Sequence, residues 1–185
     1  MVKTGNMMAA ATVAMAVTAL AGLGAMQKTT DVHPGTGGSP HARTEWTIAG
    51  ANISIEYGRP FLKGRTIGKN LVPYGQVWRA GADEATTLKS DKPLIFGNLT
   101  VPAGTHTLFV LPAADKWVLI VNKQTGQWGT AYEEGQDLGR VDMFLGKPAG
   151  AAEQHTIAIA PQADGGVLEI AFGSVQASVP FTVGK

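Results

Sequence analysis

Apolar and polar side chains alternate along most of the chain from Thr44 onward. Ile53, Ile55 and Tyr57 alternate with Ser54 and Glu56, the two-residue period of a strand with one buried face. Leu94 to Phe96 and Leu99 to Val101 flank Gly97-Asn98, which predicts a tight hairpin because glycine accepts positive φ. Thr105 to Leu111 and Trp117 to Asn122 predict a second hairpin around Pro112 to Lys116. Both of its strands carry apolar residues on either face, as central strands covered on two sides do. Thr156 to Ala160 and Val167 to Phe172 bracket Asp164-Gly165-Gly166, and Val175, Ala177, Val179, Phe181 and Val183 alternate cleanly. Short strands with turn chemistry between them, and no capped amphipathic helix, predict one all-β domain over 44–185. Its expected form is a single antiparallel β-sandwich or jelly-roll-like barrel.

The residues before Thr44 follow different rules. Lys3 precedes an uncharged apolar run, Met7 to Leu20, and Ala19-Leu20-Ala21 offers small residues where signal peptidase cuts. The spacing predicts a secretory signal peptide over 1–21, with an uncleaved anchor as the alternative; the run is short for a spanning helix. The chain is therefore expected to be exported, periplasmic or secreted, with no stable membrane insertion after cleavage. Residues 22–43 hold Pro34, Gly35, Gly37, Gly38, Ser39 and Pro40 with little apolar content, which predicts a disordered spacer. His33 and His41 fall in this tract and read as solvated side chains, so no metal site is expected.

Composition narrows the classes. The chain has no cysteine, which excludes disulfides, thiolate metal sites and a lipid-modified cysteine at the cleavage point. Stability must come from a core, which a domain of this size can supply. The 15 lysines and arginines less Lys3 equal the 14 acids, so a balanced mature chain gives no electrostatic case for nucleic acid. No cofactor is expected.

The unusual chemistry lies between Tyr57 and Leu88, a Gly/Pro-punctuated connection too rich in special residues for a linker. Arg59, Lys63, Arg65 and Arg79 carry forks and charges suited to carboxylates, phosphates or sugar hydroxyls. They read equally as a structural set, pairing with Glu56, Asp83 and Glu84 to pin the connection. Tyr57, Tyr74, Trp78 and Trp128 could stack on flat ligands or fill a core, whereas Trp117 alternates with core positions. Asp83 and Glu84 are neighbours, so an extended backbone would point them in opposite directions. Glu84 is the candidate catalytic residue if a second carboxylate, such as Glu56 or Asp142, comes within reach. His106 and His155 read as strand residues, and no nucleophile elbow, phosphate loop or zinc-protease motif is present.

These residues also carry a family likeness. Gly58-Arg59-Pro60, Lys63-Gly64-Arg65, Leu71-Val72-Pro73-Tyr74-Gly75, Val77-Trp78-Arg79, Gly81-Ala82 and Glu84-Ala85-Thr86-Thr87 resemble the bacterial DUF2911 family. Pro102-Ala103-Gly104-Thr105, Leu108-Phe109, Trp117, Asn122-Lys123 and Gln127-Trp128-Gly129 look like its later blocks, and the likeness runs from about Trp46 to Val183. The chain departs from the family pattern at Gly58 (usually serine), Asp83 (asparagine), His106 (tyrosine) and Phe172 (tryptophan). The resemblance implies an exported bacterial β-rich protein and supplies no activity.

The expected function is a binding module for a carbohydrate or small anion. Its candidate ligand-binding residues are Arg59, Lys63, Arg65, Tyr74, Trp78, Arg79, Asp83, Glu84 and Trp128. The alternatives are a hydrolase acting through Glu84 with arginine stabilisers, and a structural or partner-binding envelope protein.

Overall fold

The computed structural model describes residues 27–185. The expected signal peptide, 1–21, lies outside the described residues, as do the first residues of the expected spacer. The described chain is all-β apart from one 3-10 turn at Glu134–Gln136. Its first strands are β1 Gln27–His33, β2 His41–Ile48, β3 Ala51–Gly58, β4 Ile67–Gly68, β5 Leu71–Pro73 and β6 Thr86–Ser90. Two hairpins follow, β7 Leu94–Phe96 with β8 Leu99–Val101, and β9 Gly104–Pro112 with β10 Trp117–Asn122. The last strands are β11 Asp137–Gly146, β12 Ala152–Gln162, β13 Gly165–Gly173 and β14 Val175–Val183.

The main sheet runs β1-β2-β3-β6-β9-β10-β11-β14-β13-β12, with β7 and β8 attached beside β14. All its pairings are antiparallel; the small β4-β5 pair is parallel. One strand turns the corner. The first part of β11, Asp137 to Met143, pairs with β10, and its end, Phe144 to Gly146, pairs with β14. The sheet therefore curls, and its two limbs face a common core. Trp46, Ile53, Ile55, Leu88, Leu108 and Leu119 come from one limb; Ile157, Ile170, Val179 and Phe181 come from the other. A smaller cluster of Ala85, Phe109 and Ile120 covers the outer face of β9 and β10. That is why those two strands are apolar on both sides.

The tract read as a spacer contains β1 and the start of β2. β1 pairs with β2 from Gln27 opposite Trp46 to His33 opposite His41. Every side chain of β1 is exposed, so it lacks the apolar alternation that marks a strand in sequence. Backbone pairing to β2 holds it, and the Pro/Gly run is the loop of that hairpin. β1 and β12 are the outer strands of the path, and β1 bears Lys28 and Asp31, charges of the kind that discourage edge-to-edge pairing.

The connection from Tyr57 to Leu88 is laid against this sheet. Trp78 exchanges both backbone hydrogen bonds with Val110, each 2.8 Å, and the Leu62 amide donates to the Glu153 carbonyl at 2.7 Å. Val72 and Ala80 are buried. Both hold left-handed backbone, at φ 50° each, a costly conformation for residues with a Cβ and rarest for a β-branched one.

Candidate functional site

Three segments converge beyond the end of β3: the β1-β2 loop, the turn at Ala80 to Glu84, and the loop leading to Gly129. Asp83 joins them. Its carboxylate accepts the Thr36 amide at 2.8 Å, and its carbonyl accepts the Gly129 amide at 2.9 Å. Asp83 itself has φ 60°. This left-handed residue breaks the strand alternation that would have sent Asp83 and Glu84 to opposite sides. Instead, both carboxylates approach one imidazole: His41 Nε2 lies 3.4 Å from Asp83 Oδ2 and 3.2 Å from Glu84 Oε2.

His41 is 2% exposed, which corrects the reading of it as a solvated side chain. Its parity along β2 is that of the exposed Arg43 and Glu45, so alternation would turn it outward, and it is covered instead by His33, Asp83 and Glu84. Its register partner His33 stacks on it with ring centroids 4.1 Å apart and planes 19° from parallel. His33 Nε2 stands 3.8 Å from Glu84 Oε2, and its Nδ1 accepts the Gly35 amide at 3.1 Å. Despite the two nearby carboxylates, His41 Nε2 has no hydrogen-bond partner. The oxygens are close to the nitrogen but lie off the direction in which its N–H would point.

Glycine makes the close approach possible at two points. A Cβ on Gly58 would fall 2.7 Å from His41 Nε2 and 2.4 Å from the Ala82 carbonyl. A Cβ on Gly129 would fall 2.6 Å from the Asp83 carbonyl and collide with the Arg79 side chain. Arg79 is thereby pressed beside Asp83. Its Nε is buried without a hydrogen-bond partner; burial holds the guanidinium below its usual pKa, and the Asp83 charge opposes that shift.

The structure distributes the expected site residues unevenly. Arg79, Asp83, Glu84 and Trp128 come together, with Glu84 bridged to Trp128 through the backbone and the Trp128 ring 48% exposed. Arg59 is adjacent, its amide donating to Pro40 at 2.9 Å and its Nε reaching the His155 carbonyl at 3.5 Å. Arg65 is occupied as a loop clasp, donating to the carbonyls of Phe61 and Leu62 at 2.6 and 3.1 Å. The Lys63 amide donates to Glu153 at 2.9 Å, and the lysine is exposed. Tyr74 lies over Gly68, where a Cβ would meet its ring.

Trp78 is placed against the core. It stacks with Phe172 and meets Trp117 and His155 edge-on, while its Nε1 donates to the Gly81 carbonyl at 3.1 Å. Tyr57 is also buried and exchanges hydrogen bonds with the backbone of Ile157. The expected pairing of the cations with acids is not what forms. Glu56 pairs with Arg43 at 2.6 Å and Asp142 with Lys116 at 2.8 Å.

His155 forms a second buried polar group. It sits among Tyr57, Trp78 and Phe172, and neither ring nitrogen has a hydrogen-bond partner. Burial, then the Arg59 charge, pushes its pKa down to about 3, with the Gly58 backbone opposing. A concavity of about 450 Å³ lies elsewhere, over Lys28, Glu45, Asn52, Lys89 and Asp91. None of the expected site residues lines it.

His33 and His41 are the site residues that sequence reasoning missed. The available signal was a histidine at each end of a seven-residue Pro/Gly-rich stretch, which a hairpin would bring face to face.

Fold and site together define an all-β protein with a polar cluster at one end of a curled sheet. Residues 39–181 match the family described as "Protein of unknown function (DUF2911)", and the chain belongs to that family. No curated protein and no solved structure matches the chain.

Proposed function

We propose that this is an exported binding module for a small polar ligand, a sugar or a small anion. Its seat is the cluster of His41, Arg79, Asp83, Glu84 and Trp128. The observation that carries this reading is the pair of buried nitrogens flanking Asp83, His41 Nε2 and Arg79 Nε, that lack partners. Leaving a buried donor or acceptor unpaired costs about 1–3 kcal/mol each, and a ligand supplying those bonds would offset that cost. Trp128 offers an exposed aromatic face beside them.

The hydrolase reading has less support. Asp83, Glu84 and His41 converge, but the neighbouring hydroxyl of Thr86 is committed to the Ala80 carbonyl at 3.0 Å. Export rests on the apolar leader and its small-residue cleavage pattern. A thermal-shift screen of the purified full chain against sugars and small anions tests the binding reading, because a ligand of the native state must raise Tm. A hit should be lost in Arg79→Met. No stabilisation by any member of the panel, or hits that survive this change, would argue for a structural role.

A further inference from the structure

We infer that the same cluster is a binding site for a divalent first-row transition metal of the zinc type, held by His33, His41 and Glu84 with Asp83 beside them. The inference rests on reading this end of the sheet as the ligand seat, and it names a cation as the first occupant. One donor atom from each of His33, His41 and Glu84 lies within 4.8 Å of the others. Zinc binds imidazole nitrogen and carboxylate oxygen at about 2.0–2.2 Å, which sets neighbouring donors of a tetrahedral ion about 3.4 Å apart. The spacings from His41 Nε2 to Glu84 Oε2 and Asp83 Oδ2 are 3.2 and 3.4 Å. Two imidazoles with carboxylate are a donor set suited to zinc, copper or nickel rather than to calcium or magnesium.

The second, independent observation is His41 itself. Its ring is almost wholly buried, yet Nε2 lies 3.2 and 3.4 Å from the two carboxylates without a hydrogen bond to either. A metal ion placed among these atoms satisfies that nitrogen and neutralises two acids gathered on one side of it. The remaining ligands can adjust. Side chains of His33 and Glu84 are 39% and 50% exposed, so closing the 3.8 Å gap between them moves only solvated groups.

Coordination also changes a proton. His33 Nδ1 accepts the Gly35 amide, so in the neutral ring the proton is on Nε2. Binding metal through Nε2 requires the other tautomer. The proton then sits on Nδ1, and the exposed Gly35 amide turns to water.

The full chain, freed of metal by chelation and dialysis, should be titrated with zinc chloride by calorimetry. His41 is avoided because its removal threatens the fold; His33→Gln and Glu84→Gln alter exposed members, and His106→Gln is the control on the opposite side of β6. The expected result is one zinc per chain, with Kd weakened roughly tenfold or more in His33→Gln and in Glu84→Gln and unchanged in His106→Gln. In ¹H–¹⁵N spectra, zinc should shift the Gly35 amide resonance. Absence of zinc uptake, or uptake indifferent to both Glu84→Gln and His33→Gln, overturns the inference. If zinc fails while a sugar or anion still stabilises the chain in an Arg79-dependent way, the ligand seat stands and only its metal is wrong. If both fail, both readings fall.

Discussion

Replacing His155 with leucine should flatten the chain's loss of stability in mild acid. His155 is wholly buried among aromatic rings, and its pKa falls from 6.5 in the unfolded reference to about 3 in the fold. Below pH 6.5 the unfolded chain takes up a proton that the folded chain refuses. Stability from this group is therefore fully present above that pH and declines as pH falls, levelling off only near pH 3. The full gap corresponds to roughly 5 kcal/mol, at 1.36 kcal/mol per unit. Between pH 6.5 and about 4.5 the expected loss is about 2 kcal/mol, a large share of a typical domain's stability. Leucine has a similar volume, removes two unpartnered nitrogens and keeps the backbone bond from residue 155 to Pro60. Urea melts followed by tryptophan fluorescence, at matched pH values for both proteins, isolate the effect, because the other titrating groups cancel in the difference. The wild type should lose about 2 kcal/mol more than His155→Leu across that range. Parallel curves for the two proteins would show that His155 is not held neutral by burial, and the packing around Tyr57, Trp78 and Phe172 would need another account.

Other consequences are open to direct measurement. Arg79→Met should change stability by less than about 1 kcal/mol, because Arg79 has no ion pair to break, whereas a buried pair with Glu84 would cost about 3–5 kcal/mol in urea melts. Gly129→Ala should cost about 1–3 kcal/mol, since the added carbon meets the Asp83 carbonyl as well as the movable Arg79 side chain. Hydrogen exchange should be slow at the Trp78 and Val110 amides, which pair with each other's carbonyls, and exchange there as fast as in the β1-β2 loop would mean the connection is loose. In a Gram-negative host the chain should be recovered from the periplasm with its mass reduced by about two dozen residues; full-length protein in the cytoplasm would contradict export.

Strands that bury one face were plain in the sequence. Ile53, Ile55 and Tyr57 in β3, and Ala177, Val179 and Phe181 in β14, point inward at the expected two-residue period. The hairpins at Gly97-Asn98 and at Pro112 to Lys116 also fall where the turn residues place them. β1 was hidden because none of its side chains is buried, so pairing rather than patterning makes it a strand. β11 was hidden for a related reason: Arg140, Asp142 and the 70% exposed Phe144 face outward along it. At the site, the segment was legible but its geometry was not. Asp83 and Glu84 face the same imidazole only because Asp83 adopts left-handed backbone, a conformation that no side-chain pattern announces. His33 and His41 meet through a register set by β1, the strand that carried no signal.

The claim that His33, His41 and Glu84 gather to hold a metal is tested most directly by crystals of the chain grown with zinc chloride. Diffraction recorded on either side of the zinc absorption edge locates the ion without reference to any assumed chemistry. The account predicts an anomalous peak within about 2.0–2.2 Å of His41 Nε2 and a Glu84 carboxylate oxygen, with His33 drawn in through Nε2. A map with zinc only at other surface sites, and the His41 cluster empty at the same concentration, would contradict it.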